Sequence, residues 1–333
     1  MTSGGKYINS GTYGCIFKPV VPCKNKPLKA KYGVSIKDGV SVRDGVSKVF
    51  RDRESMQSEL DKYNQLIKKI DPRGLYTIKL LQPTSCAIDD TKIAKADKSK
   101  CQHTYTTTQP LHQLIYAYGG IDVHKWSKSK SDGYTFEKLM NGLEPILKGL
   151  VALQKHKVVH QDIKPENIMY YRKQLRLADF GLVAKFSEVY DRDYGFLSYP
   201  YPYFPPEYKL YCKLEQGSSY AVDEFLYDMR TSMYVIGNID HWYDDLTALH
   251  DKHMDNRSRK RYTQKYFTKH YASKIDTWGL GITLYSLLPP PRQRSHHIQA
   301  FIDELLTHMI AIDPMHRFDA KKTFAAYKKW YKK

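Results

Sequence analysis

The apolar positions change their rhythm about a third of the way along the chain. Up to about residue 115 they fall in short runs bounded by turn residues, the pattern of strands. "YINSGTYGCIFKPV" sets aromatic and β-branched residues around a glycine turn, which predicts a hairpin. A tandem hexamer follows, GVSIKD, GVSVRD and GVSKVF over 33–50. Three copies are too few for a solenoid. The even period keeps each side chain on its own strand face. The repeat therefore reads as an extended loop, about 18–45, leading into a strand that ends VSKVF. Beyond it Met56, Leu60, Tyr63, Ile67 and Ile70 form one helical stripe, and Asp71-Pro72 ends that helix. Glu59 borders the buried face of this helix; Glu54 points elsewhere.

From about residue 124 the helical period dominates. "FEKLMNGLEPILKGLVALQKHKVVH" carries apolar positions at helical spacing, and "KQLRLADFGLVAKF" reads as a strand followed by a loop. "IDTWGLGITLYSLL" is apolar nearly all round, as a buried helix is. "FIDELLTHMIAIDPMHRF" is another helix, ended by Asp313-Pro314. Strands first and helices later predict an α+β chain of two unequal lobes, a small β-rich N-lobe over 1–118 and a larger helical C-lobe over 119–333.

Composition narrows the class. The hydrophobic share of 41% in 333 residues is enough for a sizeable core. The longest apolar run, Leu280 to Pro290, is well short of the roughly 18–20 residues that span a bilayer. The N-terminus has neither a secretory nor a myristoylation pattern, so a soluble intracellular protein is expected. Five cysteines, Cys15, Cys23, Cys86, Cys101 and Cys212, are few and odd in number, which predicts buried reduced thiols rather than a disulfide framework. The alternative is a metal set of Cys101, His103, Cys86 and Cys23, whose spacing matches no compact zinc motif. The net charge of +18 attracts acidic proteins, nucleic acid or anionic membranes. Lys and Arg are spread along the whole chain, which favours a generally basic surface or acidic protein partners over nucleic acid.

Short motifs carry the candidate chemistry. "INSGTYGCI", Ile8 to Ile16, has Gly11 and Gly14 in the second and third positions of a Gly-x-Gly-x-x-Gly loop, with Asn9 in the first. Such a loop lets backbone approach a phosphate. Lys48, in the strand before the helix bearing Glu59, is the preferred phosphate cation, held by a Lys–Glu pair; Lys37, in "VSIK", is the alternative. "HQDIKPEN" supplies Asp162 as base for an acceptor hydroxyl, Lys164 as a cation for the moving phosphoryl group, and Asn167. "LADFG" supplies Asp179, which with Asn167 offers oxygen ligands to Mg²⁺, or to Mn²⁺ in its place. The two strings in this order, roughly 17 residues apart, form a specific combination.

These strings resemble the eukaryotic-type serine/threonine protein kinases over most of the chain, which implies a bilobal kinase fold, ATP as donor and protein hydroxyls as acceptors. Glu207 in "FPPEY", Asp276 in "DTWGLG" and Arg317 in "DPMHRF" match later family motifs, and the resemblance implies a Glu207–Arg317 pair. "YAYGGIDV" is similar to the family's hinge. It makes Tyr116 the gatekeeper, Ala117 and Gly119 the backbone contacts to adenine, and Asp122 the ribose contact. "GTYGCIFKP", "VSKVF", "IKKIDP", "YGGIDV" and the isolated Cys86 and Cys101 further resemble kinases of nucleocytoplasmic large DNA viruses, which implies work in host cytoplasm or the virion. Two departures stand out. Gln161 replaces the arginine that grips a phosphorylated activation loop, and Gln makes no charge-assisted pair with phosphate. Some 55 extra residues, about 208–268, separate Glu207 from Asp276. The loop from Asp179 to Glu207 is rich in Tyr and Pro, which predicts an activation segment ordered by packing. A partner-binding pseudokinase is the main competing reading, and a small-molecule kinase of related fold the next.

Overall fold

The computed structural model describes residues 5–11, 14–24, 45–82, 85–101, 110–129, 133–189, 201–215, 220–233, 237, 239–254 and 263–332. The chain divides into two compact units, 1–120 and 121–333.

Unit 1 is built on an antiparallel sheet of order β1-β2-β3-β5-β4. Its strands are β1 (Lys6–Gly11), β2 (Gly14–Lys18), β3 (Gly45–Phe50), β4 (Cys86–Ala87) and β5 (His112–Ala117). β1 and β2 form the expected hairpin, and β3 is the third hexamer copy. The first two copies, with Lys37, lie outside the described residues. Gly14 has a packing reason of its own: a Cβ there would sit 2.1 Å from the Val49 carbonyl oxygen, whereas one on Gly11 would meet nothing within 4 Å. The helix Arg53–Lys62 starts where Asp52 accepts a hydrogen bond from the Ser55 amide at 2.7 Å. It continues through a π-turn, Tyr63–Ile67, and a last turn, Lys68–Ile70. Met56, Leu60, Tyr63 and Ile67 are buried, Ile70 only partly.

The cysteines correct the expectation of reduced thiols. Cys15 bonds to Cys101 and Cys23 to Cys86, with Cα–Cα separations of 6.1 and 5.8 Å, inside the range a disulfide bridges. The partners are 86 and 63 residues apart, so no local spacing announces them. Folding β2 against the segment after β4 brings Cys15 and Cys101 into one cluster with Phe17, Val21, Val49, Ile88 and Ile93. Cys212 alone remains a thiol, and it is buried. His103 lies outside the described residues, among which no group of three or more His, Cys, Asp or Glu side chains is placed to hold a metal.

Unit 2 is mostly helical around the helix Ile275–Ser286, buried from Ile275 to Leu284. Two small sheets flank its loops. β6 (Ile121–Asp122), β8 (Ile168–Tyr171) and β9 (Gln174–Leu177) form one, in the order β6-β8-β9. β7 (Val158–Val159) pairs with β10 (Ala184–Lys185) in the other. Between β8 and β9, Arg172 and Lys173 both take positive φ, 50° and 62°, the backbone of a tight two-residue hairpin turn.

The inserted stretch is helical in its described parts, with helices Pro206–Glu215, Val222–Ser232, Tyr243–Met254 and Gln264–His270. Trp242 packs at a tilt against Trp278 and Tyr285 of the buried helix, at ring distances of 6.3 and 6.0 Å. Its basic run, 256–262, lies outside the described residues. No helix among the described residues is long and apolar enough to cross a membrane.

Candidate functional site

The candidate residues fall into two groups, one in each unit. In unit 1, antiparallel pairing of β3 with β5 sets Lys48 opposite Leu114 and Val46 opposite Tyr116. Lys48 lies two residues from Val46, so strand alternation puts Lys48 and Tyr116 on one face of the sheet, toward the helix that carries Glu59. Lys48 Nζ meets Glu59 Oε2 at 2.6 Å, and the Tyr116 hydroxyl donates to Glu59 Oε1 at 2.8 Å. Both carboxylate oxygens are thus engaged, and all three side chains are buried. Burial also pushes the Tyr63 phenol up to about 12; its ring packs edge-on against Tyr116, and its oxygen accepts the Leu80 amide.

The other unit 1 candidates serve the sheet and its edge. Asn9 pairs with Ile16 beyond a bulge in β1, and Ile8 is exposed. Ala117 already donates its N–H to the Lys79 carbonyl at 2.8 Å, so it offers a ligand only an acceptor. Gly119 is buried.

In unit 2, Asp162, Lys164 and Asn167 converge through one short turn. Pro165–Asn167 is a 3₁₀ turn, and it returns Asn167 to the base. Asn167 Nδ2 donates to Asp162 Oδ2 at 2.7 Å and to the Asp162 carbonyl at 2.9 Å. Lys164 Nζ lies 3.0 Å from Asp162 Oδ1. The Tyr201 hydroxyl donates to that same oxygen, and Lys164 Nζ donates to the Tyr201 hydroxyl at 3.4 Å. The Ala178 amide donates to the Asn167 carbonyl at 2.9 Å, tying Asp179 to this turn. Asp179 takes φ 65°, and so does Gln161. Non-glycine residues in that left-handed region cluster at functional sites.

The buried helix fixes this loop from beneath. Asp276 accepts the His160 and Gln161 amides, both at 2.8 Å; burial raises its pKa, against the pull of His160 and these two bonds. Gly279 leaves only 3.1 Å between a would-be Cβ and the Ile163 carbonyl, and Thr283 Oγ1 donates to that carbonyl at 3.3 Å. Positions 276, 279 and 283 share one helix face. Sequence reading found Asp276 but missed Gly279 and Thr283, although their i, i+3, i+7 spacing was the available signal. Farther along, Arg317 grips Glu207 bidentately at 2.6 and 3.0 Å, with neither side chain exposed. Its guanidinium also lies 4.7 Å from the Trp278 ring.

Asp122 does something the motif did not suggest. It caps the helix Val123–Lys128, accepting the Lys125 amide at 2.8 Å, with Lys125 Nζ 3.6 Å away. Asn167 and Asp179 suit a hard cation: with the Asn167 amide nitrogen committed to Asp162, its side-chain oxygen is left as the acceptor. Tyr201 was not singled out beforehand; its sole signal was the run of tyrosines and prolines.

Aromatic packing surrounds the ends of the segment between Asp179 and Glu207, of which 190–200 lie outside the described residues. Val159, Phe186, Val189, Phe204, Tyr208, Tyr211, Phe267 and Tyr271 form one buried cluster. Trp278 Nε1 donates to the Pro202 carbonyl at 2.9 Å, and Gln264 Nε2 to the Ser187 carbonyl at 3.0 Å.

Known proteins share these features in part. The protein kinase domain family model matches residues 99–238, less than half of the chain but including both catalytic strings. A mitogen-activated protein kinase kinase of Aspergillus fumigatus is 36% identical over 91 residues, 27% of this chain and 18% of that protein. Cyclin-dependent kinase 17 of Caenorhabditis elegans is 29% identical over 106 residues, 32% of this chain and 16% of that protein. Cell division control protein 2 homolog 3 of Trypanosoma brucei is 32% identical over 74 residues, 22% of this chain and 24% of that protein. The chain thus spans under a quarter of the length of each of these relatives. With its β-rich N-terminal part and larger helical C-terminal part, the chain has the α+β fold of a protein kinase.

Proposed function

We propose that this chain is a serine/threonine protein kinase that moves the γ-phosphoryl group of ATP to protein hydroxyls. The observation that carries the reading is the Asp162–Lys164–Asn167 cluster, a buried carboxylate with a cation at 3.0 Å and an amide at 2.7 Å. An acceptor hydroxyl bound at Asp162 gives its proton to that carboxylate as its oxygen bonds to the γ-phosphorus and the bond to the ADP oxygen breaks. Lys164 offsets the charge on the moving group. Lys48, oriented by Glu59, holds the donor's phosphates in place. Asn167 and Asp179 would hold Mg²⁺, which would neutralise charge on the phosphates.

Radiolabelled ATP with one acidic and one basic acceptor protein, using wild type and Asp162→Asn, tests this. Transfer that vanishes in the variant is expected, with the acidic protein preferred by a chain of charge +18. ATP binding without any transfer would favour the scaffold reading instead. Retention on DNA that fades with salt would add a nucleic-acid partner.

The activation segment, in this reading, is held by packing and does not wait for phosphorylation. Its aromatic cluster and the bond from Gln161 Nε2 to the Leu182 carbonyl support this. Replacing Ser187 and Ser198 together by Ala should leave turnover intact; a loss restored by phosphomimetic residues would refute it. The likeness to kinases of large DNA viruses also belongs to this proposal. Of the two locations it implies, the disulfides favour the virion, because the cytosol keeps thiols reduced. Thiol labelling of the protein from virions and from infected cytoplasm separates the two.

A further inference from the structure

The hydroxyl of Tyr201 bonds directly to the two side chains read above as base and cation. It donates to Asp162 Oδ1 and accepts from Lys164 Nζ, the base and the cation of the reaction. The placement comes from the segment's own packing. The Tyr201 ring meets Tyr203 at 5.4 Å and Phe204 at 4.9 Å. Phe204 continues into Tyr208 at 5.2 Å, and Tyr208 into Phe267 at 5.8 Å. The following backbone is pinned where Trp278 donates to the Pro202 carbonyl. A serine or threonine at 201 would leave its oxygen several ångströms short, because the length of the phenol is what spans the distance from this backbone to Asp162.

We propose that Tyr201 is itself a phosphoryl acceptor, modified within its own chain by the site it occupies. The proposal rests on the transfer reaction above and extends that site from aliphatic to phenolic hydroxyls. Tyr201 Oη bonds to the γ-phosphorus of ATP, the bond from that phosphorus to the ADP oxygen breaks, and the phenolic proton passes to Asp162. ADP leaves with the bonding electron pair on its β-phosphate oxygen. Burial, then the charge of Asp162, raises the Tyr201 pKa, so the phenol stays protonated and is a donor to the base until transfer begins. Phosphotyrosine carries close to two negative charges near neutral pH. Next to Asp162 it is repelled, so the modified side chain leaves the acceptor position. A protein substrate displaces the unmodified phenol by competition, so turnover does not require this modification.

The full chain, treated with phosphatase and freed of it, is incubated with labelled ATP and Mg²⁺, with and without casein. Mass spectrometry should find phosphate on Tyr201, with a fraction labelled per minute that is unchanged over a tenfold dilution. The label should be absent in Asp162→Asn. Tyr201→Phe keeps the ring and its packing, and should raise kcat/KM for casein by removing the competing hydroxyl. Casein phosphorylated while Tyr201 stays unlabelled overturns the proposal and leaves the kinase reading standing. Labelling whose fractional rate grows with enzyme concentration overturns it too, since that is transfer between chains. If neither casein, nor a basic acceptor, nor Tyr201 takes phosphate, the kinase reading itself falls and this proposal with it.

Discussion

Gln161 donates its side-chain amide to the main-chain carbonyl of Leu182 at 3.1 Å. Gln161, which stands where the kinases it resembles carry arginine, therefore holds the backbone just after Asp179 through a neutral hydrogen bond. Gln161 is buried, and its own amide is held by Asp276.

Gln161→Leu keeps the size of the side chain and removes the donor. The Leu182 carbonyl then loses this hydrogen bond, at a cost of about 0.5–1.5 kcal/mol. Urea unfolding should shift by that amount, and kcat should fall without any change in its response to phosphatase.

The Lys48–Glu59–Tyr116 group predicts an asymmetry between two substitutions. Lys48→Met leaves a buried carboxylate without its cation, and such losses cost about 3–5 kcal/mol. Glu59→Gln removes the charge facing Lys48 but keeps one side-chain oxygen to which Nζ can donate, and is the milder change in thermal melts. ATP turnover should collapse in both, whereas Lys37→Met should remain active.

Arg317→Met should destabilise unit 2 by about 3–5 kcal/mol, since it strands Glu207 in a dry site. Adding Glu207→Leu should recover part of that loss. A double-mutant cycle in chemical denaturation measures the coupling.

His253 makes the inserted region acid-sensitive. Burial lowers its pKa from 6.5 to about 4, with Lys252 adding to the shift and Asp313 opposing it. A group whose folded pKa is depressed contributes its full stability above the unfolded value and loses it as pH falls to the folded one. Stability should therefore decline from about pH 6.5 to about pH 4, by on the order of 3 kcal/mol in total. Denaturation midpoints across that range should flatten in His253→Phe.

Reduction should weaken unit 1. Closing an 86-residue separation through Cys15–Cys101 stabilises by roughly 4.6 kcal/mol in the chain-entropy account. A melting temperature lowered by dithiothreitol, with Cys212→Ala behaving as wild type in both conditions, is the expected outcome.

What was legible beforehand was local. The stripe from Met56 to Ile67 set a helix face because helical period alone decides which side chains share a side. The hairpin of β1 and β2 and the buried helix from Ile275 were readable for the same reason. The strings holding Asp162, Asn167 and Asp179 were readable because their chemistry demands those residues at short spacing. The cysteines misled because even–odd counting says nothing about which thiols a sheet brings within 6.1 Å.

The sequence by itself determined the order of strands and helices and the short strings that hold the candidate chemistry, since periodicity and turn residues act over a few positions. Only the tertiary structure decided that Glu59 takes both Lys48 and Tyr116, that Gly14 makes room for the Val49 carbonyl, that Gln161 holds Leu182, and that Tyr201 reaches Asp162. Each of those joins residues from different elements, and their meeting depends on how the whole chain closes around its core rather than on any local pattern.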